Sequence, residues 1–259
     1  MRNETIESSC VPEKLLPSVR RLWSHYYPDS QPDRFKELLF QNVHSTDHVL
    51  EIGAGSGAGS QNHFGLRGKV ARYIGIDPDS SVLSNPYLDE ARECGADSLP
   101  FADESFDLVF HNFVAEHFKS PIDCNREIAR VLKPGGKLIF QTPSRFYYPM
   151  LAAQITPHWF HEFYVLHFGS GRSSKEVFPT FYRLNDDKTI TMQFASCGLT
   201  CEIQHHVSPP GYLRFSSLSF LLGVLFERTL ERIFPSLRAT IIVVATKSAE
   251  DEVQNENVA

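Results

Sequence analysis

Residues 48–60 read His-Val-Leu-Glu-Ile-Gly-Ala-Gly-Ser-Gly-Ala-Gly-Ser, and this stretch decides the fold. Residues 49–52 are an apolar run that predicts a buried strand, and the glycines behind it predict a tight turn. A glycine has no Cβ, so the turn can adopt positive φ angles and let a ligand come close. The residues after the turn are expected to open a helix whose free N–H groups face that ligand. Glu51 stands beside the turn, at the end of a strand where open α/β sheets bind ligands, so the stretch predicts a nucleotide-type site.

The size and charge of the chain limit its class. It has 259 residues, 42% of them hydrophobic, and a formal net charge of −6. We expect one domain over residues 1–247, with an N-terminal arm over 1–30 and a disordered polar tail over 248–259. The negative charge offers no basic surface for nucleic acid, so no nucleic-acid partner is expected.

Cysteine usage and hydropathy indicate the compartment. The five cysteines are scattered and form no C-x-x-C pair, which favours buried thiols in a reduced compartment over disulfides or zinc. No signal peptide is visible, and the longest apolar run, residues 218–226, is too short to span a bilayer, which takes about 20 residues. A cytoplasmic location is therefore expected.

Apolar runs alternate with helical patterns along the chain. Further strands are predicted at 72–77, 106–111, 137–142, 199–205 and 240–246, and helices at 32–43, 121–132, 188–197 and 213–234. The glycines at 135 and 136 are expected to end the helix before them. This alternation predicts an α/β fold with a doubly wound, mostly parallel, Rossmann-like sheet.

A second acidic residue, Asp77, ends the second predicted strand. A carboxylate there can accept hydrogen bonds from both ribose hydroxyls of an adenosine. The alternative is that Asp77 caps the following helix, with Pro78 at its first position. The glycine turn upstream favours the ribose role.

Two kinds of nucleotide fit these features. Gly53, Gly55 and Ala58 satisfy G-x-G-x-x-G/A, so an NAD(P)-binding oxidoreductase is one interpretation. Glu51 favours S-adenosylmethionine (SAM), because a carboxylate repels a pyrophosphate but attracts a sulfonium and an ammonium group. Two further motifs follow in the chain: Leu-Pro-Phe-Ala-Asp-Glu-Ser-Phe-Asp at 99–107 and Lys-Pro-Gly-Gly at 133–136.

In this order the motifs resemble the class I SAM-dependent methyltransferases, specifically the Methyltransferase type 11 pattern, over roughly residues 45–142. The resemblance implies a seven-stranded sheet with an antiparallel last strand, and SAM as the cofactor. It also implies a set of cofactor-binding residues. The methionine part would be bound by Glu51, Gly53, Ala54, Gly55 and Gly57, and by the underlying segment His111, Asn112 and Phe113. The ribose would be bound by Asp77 beside Pro78.

The residue that contacts adenine is less directly indicated. Members of the family often carry an aspartate four positions before Leu-Pro-Phe, and here that position is Gly95. The resemblance then leaves Asp97, next to Ser98, as the acid for this role. The alternative is that backbone groups of residues 96–98 act alone.

His117 is the first candidate for catalysis. It matches a common Glu-His pair that follows the fourth strand of the family. Methyl transfer needs above all alignment of the acceptor, and a base only for an acceptor such as a hydroxyl. His117 is therefore predicted as that base, with a capping or packing role on its helix as the alternative.

Residues 143–187 interrupt the pattern after the fifth strand and are rich in aromatic residues and histidines. This insertion is predicted to cover the site as a lid or substrate wall. His158 and His161 are candidate bases or acceptor contacts, with a structural role as the alternative. The spacing H-x-x-H-x5-H lacks the usual zinc pattern, so no metal is expected.

The insertion also resembles methyltransferases that accompany polysaccharide and glycolipid assembly, through residues 156–161 and 178–185. The resulting hypothesis is methyl transfer from SAM to a small-molecule, glycan or lipid-linked acceptor, on oxygen. An NAD(P)-dependent oxidoreductase and a non-catalytic SAM-binding protein are the alternatives. Residues 213–234 are expected to pack on the sheet, with peripheral membrane contact as the alternative.

Overall fold

The computed structural model describes residues 16–27, 33–57, 64–147, 179–206, 213 and 215–249. These residues divide into two compact units. The larger unit contains the described residues from Asp33 to Arg145, from Pro179 to His205, and from Thr240 onward; the smaller contains the rest. The organisation of residues 1–247 as one domain stays a prediction.

A seven-stranded sheet forms the larger unit. Its strands are β1 (His48–Ile52), β2 (Arg72–Asp77), β3 (Glu90–Glu93), β4 (Phe106–Asn112), β5 (Leu132–Pro143), β6 (Leu199–His206) and β7 (Thr240–Lys247). They lie in the order β3-β2-β1-β4-β5-β7-β6. The pairs β1–β2, β1–β4, β2–β3 and β4–β5 are parallel, and β7 runs antiparallel to β5. The predicted seven-stranded, mostly parallel sheet is confirmed.

The described residues contain five α-helices. They are α1 (Pro17–Tyr26), α2 (Arg34–Gln41), α3 (Pro121–Val131), α4 (Asp187–Ser196) and α5 (Ser217–Ile233). Short 3-10 helices are Ser80–Ser84, Ala115–His117 and Pro235–Leu237. The Asp33 side chain caps α2 by accepting hydrogen bonds from the N–H groups of Phe35 and Lys36. The four predicted helices are confirmed within a few residues of their expected ends.

Both faces of the sheet are covered, which explains why its central strands are apolar on both sides. On one face, Val49 packs with Phe35 and Leu39 of α2. On the other, Leu50 packs in the cluster that contains Ile128 of α3 and Phe194 of α4.

Two details differ from the sequence expectations. The strand β3 was not predicted, because this edge strand reads Glu-Ala-Arg-Glu and none of its side chains is buried. The helix α3 ends at Val131, before the glycines, and Leu132 is already extended and paired with Phe106 of β4. The expectation that Gly135 or Gly136 ends this helix is therefore wrong: Gly135, with φ +75°, lies where the pairing of β4 with β5 changes register.

The smaller unit holds α1 and α5 together. Its buried cluster joins Val19 and Trp23 to Phe220 and Val224, and the rings of Trp23 and Phe220 stack at 5.8 Å. In this cluster α5 packs against α1. The expected packing of residues 213–234 on the sheet stays a prediction. None of the helices described is long and apolar enough to cross a membrane.

Some predicted features lie outside the described residues. They are the helix expected directly after the glycine turn, including Ala58, most of the insertion, including His158 and His161, and the tail beyond residue 249.

Candidate active site

The glycine turn follows β1, and β2 and β4 lie on the two sides of β1. The order of the strands reverses at this point, which is where open α/β sheets bind ligands. The three turn glycines have φ of +76°, +51° and +69° at Gly53, Gly55 and Gly57. A Cβ on Gly53 would lie 2.4 Å from Cγ2 of Val114, so this position has no room for a side chain.

Strand β2 holds the turn from one side. The N–H groups of Gly53 and Ala54 both donate to the carbonyl of Ile76, at 2.8 and 3.0 Å. Gly75 makes this approach possible, since a Cβ there would lie 2.7 Å from that of Ala54 and 2.4 Å from Leu88. This role of Gly75 was not predicted, although a glycine inside a strand pattern often marks a close approach.

Asp77 reaches the turn with its carboxylate. One oxygen accepts from the Gly55 N–H at 3.1 Å, and the other from the Asp79 N–H at 2.8 Å. Asp79 caps the following 3-10 helix by accepting from the Ser81 N–H, so the capping alternative for Asp77 is wrong. Each carboxylate oxygen can accept more than one hydrogen bond, so Asp77 retains capacity for a diol.

Glu51 lies beneath the turn and is only 4% exposed. The hydroxyl of Tyr73, on the adjacent strand β2, donates a hydrogen bond to its carboxyl group. Burial raises the pKa of Glu51 to about 8; the hydrogen bond from Tyr73 opposes this rise, and the charge of Asp77 adds to it. The sequence predicted Glu51 but gave no indication of Tyr73, because β-pairing brings the two residues together.

Asp97 and Ser98 are exposed in the loop after β3. A Cβ on Gly95 would lie 2.5 Å from a carboxylate oxygen of Asp97. The Asp97 carboxylate thus fills the space that a side chain at position 95 would need. The contact of Asp97 with adenine stays a prediction, as does the backbone alternative.

Two residues of α3 fix the same loop. Glu127 accepts a hydrogen bond from the Leu99 N–H at 2.8 Å. The Arg130 guanidinium donates to the carbonyls of Leu99 and Phe101, at 3.0 and 2.8 Å, and pairs with Glu127. The Leu-Pro-Phe segment is therefore clamped through its backbone by α3, a role that the sequence analysis did not predict.

At the end of β4, the side chain of His111 is buried and that of Phe113 is exposed. His111 is 1% exposed, between the rings of Phe140 and Phe118, and burial lowers its pKa to about 3. Neither ring nitrogen has a hydrogen-bond partner in the described part of the chain. Asn112 accepts from the Gln141 amide at 2.6 Å, and Phe113, with φ +55°, is 42% exposed. Because its side chain is buried, His111 can contribute to a binding surface only through its backbone.

His117 ends the 3-10 helix after β4. Its Nδ1 lies 2.9 Å from the carbonyl oxygen of Pro179. The neighbouring Glu116 is buried; its backbone carbonyl accepts from the Phe181 N–H at 2.7 Å, and its carboxyl group accepts from Thr142 at 3.1 Å. Burial raises the pKa of Glu116. Residues 179–182, near the end of the insertion, are thus hydrogen-bonded to residues 116 and 117.

The donors and acceptors at the turn fit a cation with ribose hydroxyls. Glu51 and Asp77 place two carboxyl groups at the turn, and the Gly55 N–H, which could otherwise bind a phosphate, donates to Asp77. The negative charge of Asp77 disfavours a pyrophosphate here. In the described ranges, no group of three or more His, Cys, Asp or Glu side chains is placed to hold a metal ion.

Comparison with known proteins agrees with this geometry. The family described as "Methyltransferase domain" matches residues 50–140. An uncharacterized methyltransferase of Mycolicibacterium vanbaalenii is 26% identical over 182 residues, covering 63% of this chain and 68% of that protein. The ubiquinone/menaquinone biosynthesis C-methyltransferase of Chromobacterium violaceum is 30% identical over 51% of this chain and 53% of the enzyme, so the chain spans about half of its length. The crystal structure of the YcgJ protein from Bacillus subtilis superposes with a TM-score of 0.50 at 17% identity, over 84% of this chain and 99% of that one.

Fold, site and relatives together define a class I, Rossmann-like methyltransferase domain. Residues 50–140 match the methyltransferase domain, and relatives of this chain are named methyltransferases. This result sets aside the interpretation as an NAD(P)-dependent oxidoreductase.

Proposed function

We propose that this chain transfers a methyl group from SAM to the oxygen of a small-molecule, glycan or lipid-linked acceptor. The observation that carries the proposal is the pair of carboxyl groups at the glycine turn, with Glu51 buried beneath it and Asp77 bound to the Gly55 N–H. These groups suit the positive charges and the ribose diol of SAM. When bound, SAM supplies an electrophilic methyl group.

The residues proposed to hold the cofactor surround this pair. The methionine part contacts Glu51, Gly53, Ala54, Gly55, Gly57 and the backbone at His111, with Asn112 and Phe113 beside it. Asp77 and Pro78 hold the ribose, and Asp97 and Ser98 contact the adenine. The loop with Asp97 is preorganised because α3 clamps it at Leu99.

His117 is the proposed general base. A carbonyl oxygen can only accept, so the contact with Pro179 places the proton of the neutral ring on Nδ1 and the lone pair on Nε2. An imidazole held in this tautomer can take a proton from a hydroxyl acceptor, which supports oxygen as the methylated atom. His158 and His161 stay predictions for the acceptor side, as does membrane contact through residues 213–234.

Calorimetry tests the proposed binding of SAM. Wild-type protein should bind SAM, and Asp77→Ala should weaken binding about 100-fold, because charge-assisted hydrogen bonds to the ribose are lost. The control is Asp123→Ala, an exposed aspartate whose carboxylate contacts Ser120 and Arg126, and this variant should bind SAM normally. Equal affinity of Asp77→Ala and wild type would refute the ribose assignment, and no binding by wild type would refute the proposal.

Transfer of an isotope label tests the proposed methyl-transfer activity. Fractionated extracts with methyl-labelled SAM should yield a labelled product and S-adenosylhomocysteine, and His117→Gln should lose turnover while keeping its affinity for SAM. The chemical shift of the labelled methyl group separates an O-methyl from a C-methyl product. If SAM binds normally but no fraction yields S-adenosylhomocysteine, the non-catalytic alternative is correct.

A further inference from the structure

Asn85 contacts the glycine turn through its side chain. It follows the 3-10 helix Ser80–Ser84, and its side-chain amide donates to the carbonyls of Ala54 and Gly55, both at 3.1 Å. Its carbonyl oxygen accepts from the Tyr87 N–H at 3.0 Å, which fixes the orientation of the side chain. Asn85 therefore links the loop after β2 to the centre of the turn, which lies about thirty positions earlier in the sequence.

One peptide plane of the turn is held at both ends. The carbonyl of Ala54 accepts from Asn85, and the N–H of the same peptide unit, on Gly55, donates to Asp77. A trans peptide unit is planar, with its C=O and N–H pointing in opposite directions, so these two contacts fix its rotation. Through the Gly55 carbonyl, Asn85 also fixes the rotation of the next peptide unit.

Asn85 also limits the third glycine. A Cβ on Gly57 would lie 2.7 Å from Oδ1 of Asn85 and 2.9 Å from the ring of Tyr87. The turn thus packs against Asn85 at Gly57, where there is no room for a side chain. Three glycines give a free turn many backbone conformations, and binding a ligand to such a turn has a large entropic cost.

We propose that Asn85 is a positioning residue for the cofactor: it holds the peptide units of the glycine turn in the conformation that binds SAM. Asn85 acts through the turn and through Asp77, and the proposal rests on the function proposed above. The asparagine reduces the number of backbone conformations in the unliganded protein, so less ordering remains for the binding step.

The test compares Asn85→Leu, which has nearly the same size but no hydrogen-bonding groups, with the milder Asn85→Ala. Ser84→Ala, an exposed neighbouring position, is the matched control. For each protein, calorimetry gives the Kd of SAM and of S-adenosylhomocysteine, and hydrogen exchange of the unliganded protein reports on the amides of residues 53–57. The midpoint of thermal unfolding serves as the readout of global structure.

Both Asn85 variants should raise the Kd of both ligands by about tenfold or more, with faster exchange confined to the turn and an unfolding midpoint near that of wild type. Ser84→Ala should match wild type in every measurement. Unchanged Kd values in the Asn85 variants, or a loss of affinity that accompanies faster exchange across the whole sheet, would overturn the proposal. If wild type fails to bind SAM, the proposed function fails, and the exchange at residues 53–57 still decides whether Asn85 holds the turn.

Discussion

The carboxyl group of Glu51 lies beneath the glycine turn, and its nearest hydrogen-bond donor is the hydroxyl of Tyr73. Burial raises its pKa to about 8, so the unliganded protein keeps Glu51 largely protonated at neutral pH. A bound cation would favour the ionised form. Cofactor binding and proton release are therefore expected to be linked at this residue.

The affinity for SAM should depend on pH through Glu51. Between pH 5.5 and 7.0 the Kd should fall by up to about tenfold per pH unit, because binding requires loss of the Glu51 proton. Calorimetry in buffers of different ionisation enthalpy should detect that proton. Glu51→Gln should bind more weakly and lose most of this dependence, whereas an identical pH profile in the variant would contradict the assignment.

The same pKa affects stability. The pKa is raised from 4.5 to about 8 in the folded protein, so the folded state holds the extra proton between these values. The free energy of unfolding should therefore fall as pH rises from about 4.5 to about 8. Relative to wild type, Glu51→Gln should gain stability on the order of a few kcal/mol over that interval, as urea unfolding at pH 5 and pH 8 would show. A constant difference between the two proteins would exclude this role of Glu51.

Gly53 combines a positive φ with a lack of space. Gly53→Ala should destabilise the protein by about 1–3 kcal/mol and weaken SAM binding, because Cβ would meet Val114. Gly68→Ala is a matched control, with φ +74° and no atom within 4 Å of the added Cβ, so it isolates the backbone strain. Urea unfolding of both variants separates the cost of backbone strain from that of the collision with Val114. Equal losses in the free energy of unfolding would show that Val114 moves aside.

At the scale of elements, most of the strands that the sequence predicted carry apolar runs, which reflect burial on both faces. Strand β6, of which only Leu199 is buried, is the exception. The strand β3 lies at the sheet edge, where Glu90 pairs with Arg72 and Arg92 in place of apolar packing. The glycines after α3 do not end that helix, because Leu132 is drawn into pairing with β4. In both cases the pairing partner decided the element, and a local pattern contains no information on that partner.

The clamp between α3 and the Leu-Pro-Phe loop gives a prediction at this scale. Arg130→Met should lower the free energy of unfolding by about 1–3 kcal/mol and weaken SAM binding, since two backbone carbonyls lose their donor. Arg126→Met, on the same helix, removes only an exposed pair with Asp123 and should change stability by less than about 0.5 kcal/mol. Denaturant unfolding and calorimetry distinguish the two, and equal effects would mean that the loop does not depend on α3.

At the scale of the whole molecule, a ligand that binds only the folded state adds its binding free energy to stability. SAM at 100 times its Kd should raise the free energy of unfolding by about 2.7 kcal/mol, and the unfolding midpoint should rise with it. NAD and NADP at the same concentrations should leave the midpoint unchanged. Differential scanning fluorimetry measures all three, and a shift with a nicotinamide cofactor alone would overturn the choice of SAM.

The α/β class, most of the strands and the glycine turn follow from the sequence alone. These features are encoded in neighbouring positions: hydrophobic period, glycine spacing, and an acid at the end of each of two strands. The tertiary structure alone decided that Tyr73 binds Glu51, that Gly75 makes room for Ala54, and that Asn85 and Arg130 hold the two loops. Each of those contacts joins residues that are distant in the chain, and only the pairing of strands and the docking of α3 bring them within hydrogen-bonding distance.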